Sequence, residues 1–312
     1  MARTIAVTWG VGFVGTNLCI NLLKQWYNVI CIDNMYTALE SNLKLLHQYS
    51  EFQFIKHDIR HPIDISCDAI YHLACPASPP HYQKDPLYTL QTCVNGIVNV
   101  LELAHQKKIP VLYTSTSEVY GDPIIHPQPE SYRWHVNPVG IRSCYDEGKR
   151  VAETYCLEYH RSYQVDAKIV RIFNTYGPYM DPSDGRVVSN LIMQALRNQN
   201  LTIYGDGSQT RSFQYIDDLV RGLILMMNNQ TGWLGPVNLG TQYEFTMNEL
   251  AHLILELIPE SKSSLIYLPL PKDDPRQRKA DNTLAKTKLD REPTITLRQW
   301  LIKTIAYFRS CV

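Results

Sequence analysis

Thr4-Ile5-Ala6-Val7-Thr8-Trp9-Gly10-Val11-Gly12-Phe13-Val14-Gly15 is the stretch that decides the fold. Its first five residues form a β-branched run of strand length, and Phe13–Gln25 has helical length and periodicity. Between them Gly10, Gly12 and Gly15 keep a G-x-G-x-x-G spacing. Glycines so placed allow a tight turn, let backbone approach a pyrophosphate, and let helix and strand pack closely. The helix that follows offers its first N–H groups and the positive end of its dipole to phosphates. A second strand, Asn28–Ile32, leads to Asp33, eighteen residues beyond Gly15. A carboxylate there can accept hydrogen bonds from an adenosine ribose, which favours NAD over NADP. Without this context the same letters describe only a glycine turn, with Asp33 as a loop cap.

The alternation continues outward from this stretch. Phe52–Ile55, Ala69–Leu73, Val111–Thr114 and Ala167–Phe173 read as strands, and Pro86–His105 and Tyr145–Tyr163 as long helices. Strands alternating with helices indicate an α/β fold, a doubly wound parallel sheet of the Rossmann kind covered on both faces. Beyond about residue 178 the pattern loosens into turns such as Tyr204-Gly205-Asp206-Gly207 and a Pro-rich stretch, Leu268–Pro275. The expected division is a dinucleotide-binding domain over 1–178 and a smaller C-terminal substrate-binding lobe over 179–312, with the chain crossing back between them.

Composition narrows the function classes. With 30 basic and 30 acidic residues in 312, the net charge of +0 excludes a nucleic-acid binder that relies on bulk positive charge. A hydrophobic content of 45% fits a globular chain. No run approaches the roughly 20 apolar residues of a membrane helix, and the N-terminus leads straight into the first strand, so no membrane segment or signal peptide is expected. The eight cysteines include no C-x-x-C pair and mostly sit in apolar runs, so they read as reduced thiols of a cytoplasmic protein. His57 and His61 are the obvious close pair among ten histidines, with no ligand set at metal spacing, and no metal is expected.

Tyr145 and Lys149 lie one helical turn apart on the same face, where a lysine cation can lower a tyrosine's pKa and make its phenolate a general base. With 20 tyrosines and 14 lysines in 312 residues, about one Y-x-x-x-K pair arises by chance, so the pair alone proves nothing. Its neighbourhood adds weight. Thr114-Ser115-Thr116-Ser117-Glu118-Val119-Tyr120-Gly121 follows the strand Val111–Thr114, whose carboxyl end is where open α/β sheets place ligands. Hydroxyls there can hold a substrate alcohol beside Tyr145, and Glu118 can exchange a proton at a neighbouring carbon. The plainer account is a Ser/Thr-rich turn capping a helix.

The chain resembles the UDP-glucuronate decarboxylase (UDP-xylose synthase) family of extended short-chain dehydrogenases/reductases. The carrying strings are His72-Leu-Ala-Cys-Pro-Ala-Ser-Pro-Pro80, Ser115-Thr-Ser-Glu-Val-Tyr-Gly-Asp-Pro123 and Asn137–Lys149 with Arg142-Ser-Cys-Tyr-Asp-Glu-Gly-Lys149. Further ones are Arg171-Ile-Phe-Asn-Thr-Tyr-Gly-Pro178, Asp184-Gly-Arg-Val-Val-Ser-Asn190, Tyr204–Tyr215 and Asp273-Asp-Pro-Arg-Gln-Arg-Lys279. Together they span nearly the whole chain. The resemblance implies that NAD oxidises C4 of UDP-glucuronate and is regenerated within one turnover. In that scheme Tyr145 takes the C4 hydroxyl proton, Lys149 supports the phenolate, Thr116 holds the hydroxyl, and Glu118 with Ser117 manages protonation near C5. Arg278 matches an arginine near the substrate carboxylate and phosphates. The resemblance also assigns Phe13, Val14, Asn34, Asp58, Leu73, Ala74 and Tyr176 to the cofactor, and Pro76, Ser78, Asn174, Val188, Tyr204 and Arg211 to the substrate. Members commonly pair through two long helices, here near Pro86–His105 and Tyr145–Tyr163, so a homodimer is expected.

Three departures fall on the cofactor side. Trp9 stands where the family usually has glycine, Thr37-Ala38-Leu39 replaces Thr-Gly-Arg, and Tyr179 replaces an arginine. If Trp9 needs positive φ, its side chain costs about 1–2 kcal/mol, and NAD is expected to bind more weakly or saturate more slowly than in a typical member. Rival readings use the same oxidation: a nucleotide-sugar 4,6-dehydratase or 4-epimerase, or a decarboxylase that releases the 4-keto pentose. Dehydratases usually carry Thr-Asp-Glu where this chain has Thr116-Ser117-Glu118. From another class comes an NAD-sensing or scaffold protein, against which the intact Thr116, Tyr145 and Lys149 argue.

Overall fold

β-Branched and aromatic runs build the centre of the molecule. The computed structural model describes residues 2–133, 135–270, 277–294 and 296–312, with Gln277 described by its backbone. Asp273 to Arg276 of the last string, and 271–275 of the Pro-rich stretch, lie outside the described residues. β1 (Thr4–Thr8), β2 (Asn28–Asp33), β3 (Phe52–Lys56), β4 (Ala69–His72), β5 (Val111–Thr116) and β6 (Ala167–Ile172) lie side by side in the order 3-2-1-4-5-6. A seventh strand, Val237–Leu239, joins the β6 edge. Every pairing in this sheet is parallel, as the strand–helix alternation requires.

The sheet is covered on both faces. Along β1, Ile5 and Val7 enter one core while Ala6 enters the other, and β2, β4 and β5 divide their side chains in the same way. α1 (Phe13–Lys24) and α2 (Glu40–Leu46) lie on the first face, while the buried Tyr82 of the short α3 (Pro79–Lys84) joins a small separate cluster. α4 (Pro86–Lys107) and α5 (Ser143–Tyr163) pack along each other over the second face. α4 extends past His105 because nothing breaks it before Lys108, which closes it at φ 56°.

From β1 the chain builds outward to β3, then returns to lay β4 on the other side of β1. The carboxyl ends of β1 and β4 therefore flank the crevice where sheets of this kind receive ligands. β5 runs two residues further than expected, to Thr116, because Ser115 and Thr116 still pair with Arg171 and Ile172 of β6. That extension carries Thr116 to the crevice. Beyond residue 178 come α6 (Val187–Leu196), α7 (Ile216–Met227) and short strands, among which Gln277–Arg278 pairs with Thr210–Ser212 and sets Arg278 beside Arg211.

Candidate active site

The glycine turn is shaped by close approach. A Cβ on Gly15 would stand 2.3 Å from the Trp9 carbonyl oxygen, so only glycine lets α1 sit on the turn. Gly12 is the N-cap of α1 and supplies no side-chain cap, leaving the first turn of the helix open to an anion. Gly10 faces the core instead: a Cβ there would come 2.5 Å from Cys31 Sγ. Asp33 is buried, and its oxygens accept hydrogen bonds from Val11 N (3.1 Å) and Met35 N (2.8 Å). Burial pushes its pKa up, against the pull of those two bonds. This cradle of Gly12, Gly15 and the open helix start, with Asp33 across from it, fits a dinucleotide.

One residue fits it poorly. Trp9 adopts φ 58°, is only 9% exposed, and donates from Nε1 to Thr37 Oγ1 at 2.9 Å. A Cβ on Gly12 would meet the indole Cδ1 at 2.9 Å, so the ring lies against the glycine over which a pyrophosphate would pass. The crevice bounded by Trp9, Gly12, Val14, Thr37, Leu39 and Tyr179 holds ≈ 110 Å³. Ligand pockets usually run to about 300–1,000 Å³.

The loop after β4 is fixed by one hydroxyl. Thr8 Oγ1 accepts from Leu73 N (3.1 Å) and Ala74 N (3.3 Å), so its own proton goes to His72 Nδ1 at 2.9 Å. His72 is fully buried, and burial lowers its pKa to about 3, consistent with the neutral acceptor this bond needs. Leu73 faces both crevices, while Ala74 and Pro76 stay in the loop wall. Ser78 borders the smaller crevice and shares a 2.7 Å hydrogen bond with His81. Asn34 and Asp58 sit further out: Asn34 donates to Tyr88 and Asp58, and Asp58 pairs with Arg60.

The larger cavity, ≈ 430 Å³, gathers Thr116, Ser117, Glu118, Tyr145, Lys149, Asn174, Tyr176, Val188, Tyr204, Arg211 and Arg278. Lys149 donates from Nζ to Thr114 O at 2.8 Å and stands 5.9 Å from the Tyr145 ring centroid. Tyr145 is buried and stacks on Tyr82, with centroids 5.2 Å apart and planes 7° from parallel. Burial drives its pKa well above the ordinary tyrosine value, the Cys75 thiol adds to this, and contact with the Thr116 side chain opposes it. Burial, not the lysine charge, therefore sets the direction of this shift.

Glu118 is gripped from both sides, by Arg142 on one carboxylate oxygen and Arg278 on the other. Arg278 is buried, donates to Ser117 Oγ (3.5 Å) and Gly121 O (3.1 Å), and is lowered to about 10 by burial. Tyr204 stands at the rim, 45% exposed. Arg142, Arg186, Tyr82 and Cys75 also border the cavity, without having been singled out from the sequence. Arg142 had a signal, lying one helical turn ahead of Tyr145, and Arg186 lies in the Asp184-Gly-Arg string. Tyr82 had none.

The sequence signature of the NAD dependent epimerase/dehydratase family matches residues 5–240. The chain belongs to this family. Within the NAD dependent epimerase/dehydratase family it is 50% identical to UDP-glucuronic acid decarboxylase 1 of Arabidopsis thaliana, over 98% of this chain and 70% of the relative. UDP-glucuronic acid decarboxylase 1 of Danio rerio is 48% identical, over 98% and 72%. Among solved structures, UDP-glucuronic acid 4-epimerase from Bacillus cereus, in complex with UDP-glucuronic acid and NAD, superposes with a TM-score of 0.88. It is 29% identical, over 99% of this chain and all 100% of that one.

Proposed function

We propose that this chain converts UDP-glucuronate to UDP-xylose and CO2, with NAD as its resident cofactor. The observation that carries this reading is the identity of about 50% over almost the whole chain to proteins named UDP-glucuronic acid decarboxylases. The geometry supports it. Gly12, Gly15, the first turn of α1 and Asp33 would hold the dinucleotide, with Lys149 and Tyr145 at its reactive end. NAD held there would supply reversible hydride acceptance at C4.

The chain's own residues do the rest. Tyr145 accepts the C4 hydroxyl proton while Thr116 orients that hydroxyl, and Lys149 stabilises the phenolate. Once C4 is a ketone, the substrate is a β-keto acid, so the electron pair of the C5–C6 bond passes into the ketone as CO2 leaves. Ser117 and Glu118 would manage the return of a proton near C5, and Tyr145 would return its proton to the C4 oxygen. Arg142 and Arg278 both reach the Glu118 carboxylate, and guanidinium groups on this wall suit a substrate carboxylate. Asn174, Val188, Tyr204 and Arg211 would take the nucleotide diphosphate. In this reading 1–178 serves the cofactor and 179–312 mainly the sugar nucleotide.

A cytoplasmic homodimer completes the proposal. Eight free cysteines suit a reducing compartment. Leu87, Leu90 and Val151 leave apolar surface exposed on α4 and α5, the helices through which pairing is expected. The deciding experiment incubates the protein with UDP-glucuronate, with and without added NAD, and measures CO2 and the sugar nucleotide formed. CO2 with UDP-xylose is expected. Epimerised UDP-hexuronate without CO2 would replace this reading with a 4-epimerase, a free 4-keto pentose with NADH would mark a truncated cycle, and no conversion would overturn it.

A further inference from the structure

Two thiols from separate elements meet behind the catalytic tyrosine. Cys75 follows β4 and Cys93 lies on α4, yet their sulfurs are 3.0 Å apart, and both side chains are buried. They share a small apolar cluster with Tyr82 and Tyr145. Cys93 also packs on Gly148, the residue before Lys149: a Cβ there would come 2.9 Å from Cys93 Cβ. Cys75 borders both crevices, so a small solute entering the site comes up against this residue. The decarboxylation scheme uses neither sulfur.

We propose that Cys75 and Cys93 are a modification site, a pair that hydrogen peroxide closes to a disulfide, disabling the active site reversibly. Peroxide entering the crevice oxidises the Cys75 thiol to a sulfenic acid and leaves as water. The Cys93 sulfur then attacks the Cys75 sulfur, expelling the sulfenic oxygen as a second water, so two thiols give up two electrons and one peroxide is reduced. Cys93 is the suitable attacking partner. Its sulfur already lies 3.0 Å from the sulfur it must reach. Its hydrogen bond with Cys75 and the nearby Lys149 charge lower its pKa, while burial and that same bond raise the Cys75 thiol.

A disulfide bond is about 2.05 Å long, so closure draws the sulfurs together by about 1 Å. The movement falls on the Leu73–Ser78 loop, which borders both ligand crevices, and on the helix turn beneath Gly148, between Tyr145 and Lys149. Misplacing reacting groups by about 1 Å can cost on the order of 10²-fold in rate. The pairing needs no C-x-x-C spacing, because β4 and α4 bring the residues together across eighteen positions.

The loss of turnover rests on the decarboxylase reading, whereas the cross-link does not, so the two can fail separately. The experiment treats the NAD-loaded protein with hydrogen peroxide, maps its peptides without reduction, and follows CO2 release. We expect a Cys75–Cys93 peptide pair two hydrogens lighter than the free thiols, at least about a tenfold fall in turnover, and recovery with a dithiol. Saturating UDP-glucuronate should slow the cross-link by covering Cys75. Cys93→Ser, with Cys93→Ala as the second variant should serine misfold, should keep its turnover under peroxide, and Cys156→Ser should be inactivated like the parent. The proposal is overturned by a cross-link to Cys144 instead, by inactivation without a cross-link, by a cross-link without inactivation, or by a Cys93 variant inactivated at the parental rate. If the protein releases no CO2 at all, the peptide map still decides whether the pair closes.

Discussion

Replacing Trp9 by glycine tests the cofactor crevice most directly. Trp9 holds a left-handed φ of 58°, which costs a residue with a side chain about 1–2 kcal/mol. Its indole lies against Gly12 and donates to Thr37 at 2.9 Å. A dinucleotide reaching Gly12 must displace the ring, which forfeits a partly buried hydrogen bond worth about 1 kcal/mol as well as the ring's packing. Trp9→Gly abolishes both costs, so NAD should bind at least about tenfold tighter, since each 1.4 kcal/mol is a factor of ten. Stability should move the other way. Deleting a buried tryptophan costs about 3–5 kcal/mol, and relief of the backbone strain returns about 1–2, leaving a net loss of about 1–4 kcal/mol. Trp9→Ala separates the two contributions: it loses the same indole but keeps the strain, and should be about 1 kcal/mol less stable than Trp9→Gly. Calorimetric titration of NAD into cofactor-free protein reads the affinity, and urea unfolding reads the stability. NAD binding to Trp9→Gly no tighter than to the parent would refute the argument.

Tyr145→Phe should lower turnover by about 10²–10⁴-fold while UDP-glucuronate binding, measured by calorimetry, stays within about twofold, because only the proton acceptor is lost. Gly15→Ala forces a Cβ to within 2.3 Å of a backbone oxygen, so the turn or α1 must shift; a loss of about 1–3 kcal/mol in urea unfolding and NAD binding weakened at least about tenfold should follow. His72 sets a pH dependence whose sign is fixed. Its folded pKa of about 3 lies below the ordinary 6.5, so the unfolded chain takes up the proton first. The stabilisation is complete above about pH 6.5 and drains away as pH falls toward 3, at about 1.4 kcal/mol per unit. Unfolding at pH 7 and pH 5 should differ by about 2 kcal/mol from this source, and His72→Gln should flatten that slope.

What could be read before the fold was known follows from local rules. Alternation placed β1 to β6 because each strand and helix declares its period within a dozen residues, and Tyr145 and Lys149 were paired by one helical turn. The grip on Glu118 was hidden: Arg142 comes from 24 residues away and Arg278 from 160. The resemblance supplied Arg278 as a substrate residue, but not its ion pair. The Tyr82–Tyr145 stack and the Cys75–Cys93 contact likewise depend on which elements become neighbours. Tyr145 shows the limit from another side. Spacing alone suggests a tyrosine made acidic by Lys149, whereas burial, which no spacing reveals, pushes it the opposite way.

The strand Val237–Leu239 has a mechanical consequence. It completes the main sheet at the β6 edge, and the residue after it, Gly240, accepts hydrogen bonds from Asn282 (3.1 Å) and Arg291 (2.7 Å) further along the chain. The two halves of the molecule are therefore stitched together by a shared sheet rather than hung on one linker. A fragment ending near residue 178 would leave the backbone donors and acceptors of β6 open to other chains, an invitation to edge-to-edge aggregation. The second half, cut free, would lose the surface on which its own strand is laid. Such a protein is built to unfold as a whole, not to come apart at a hinge.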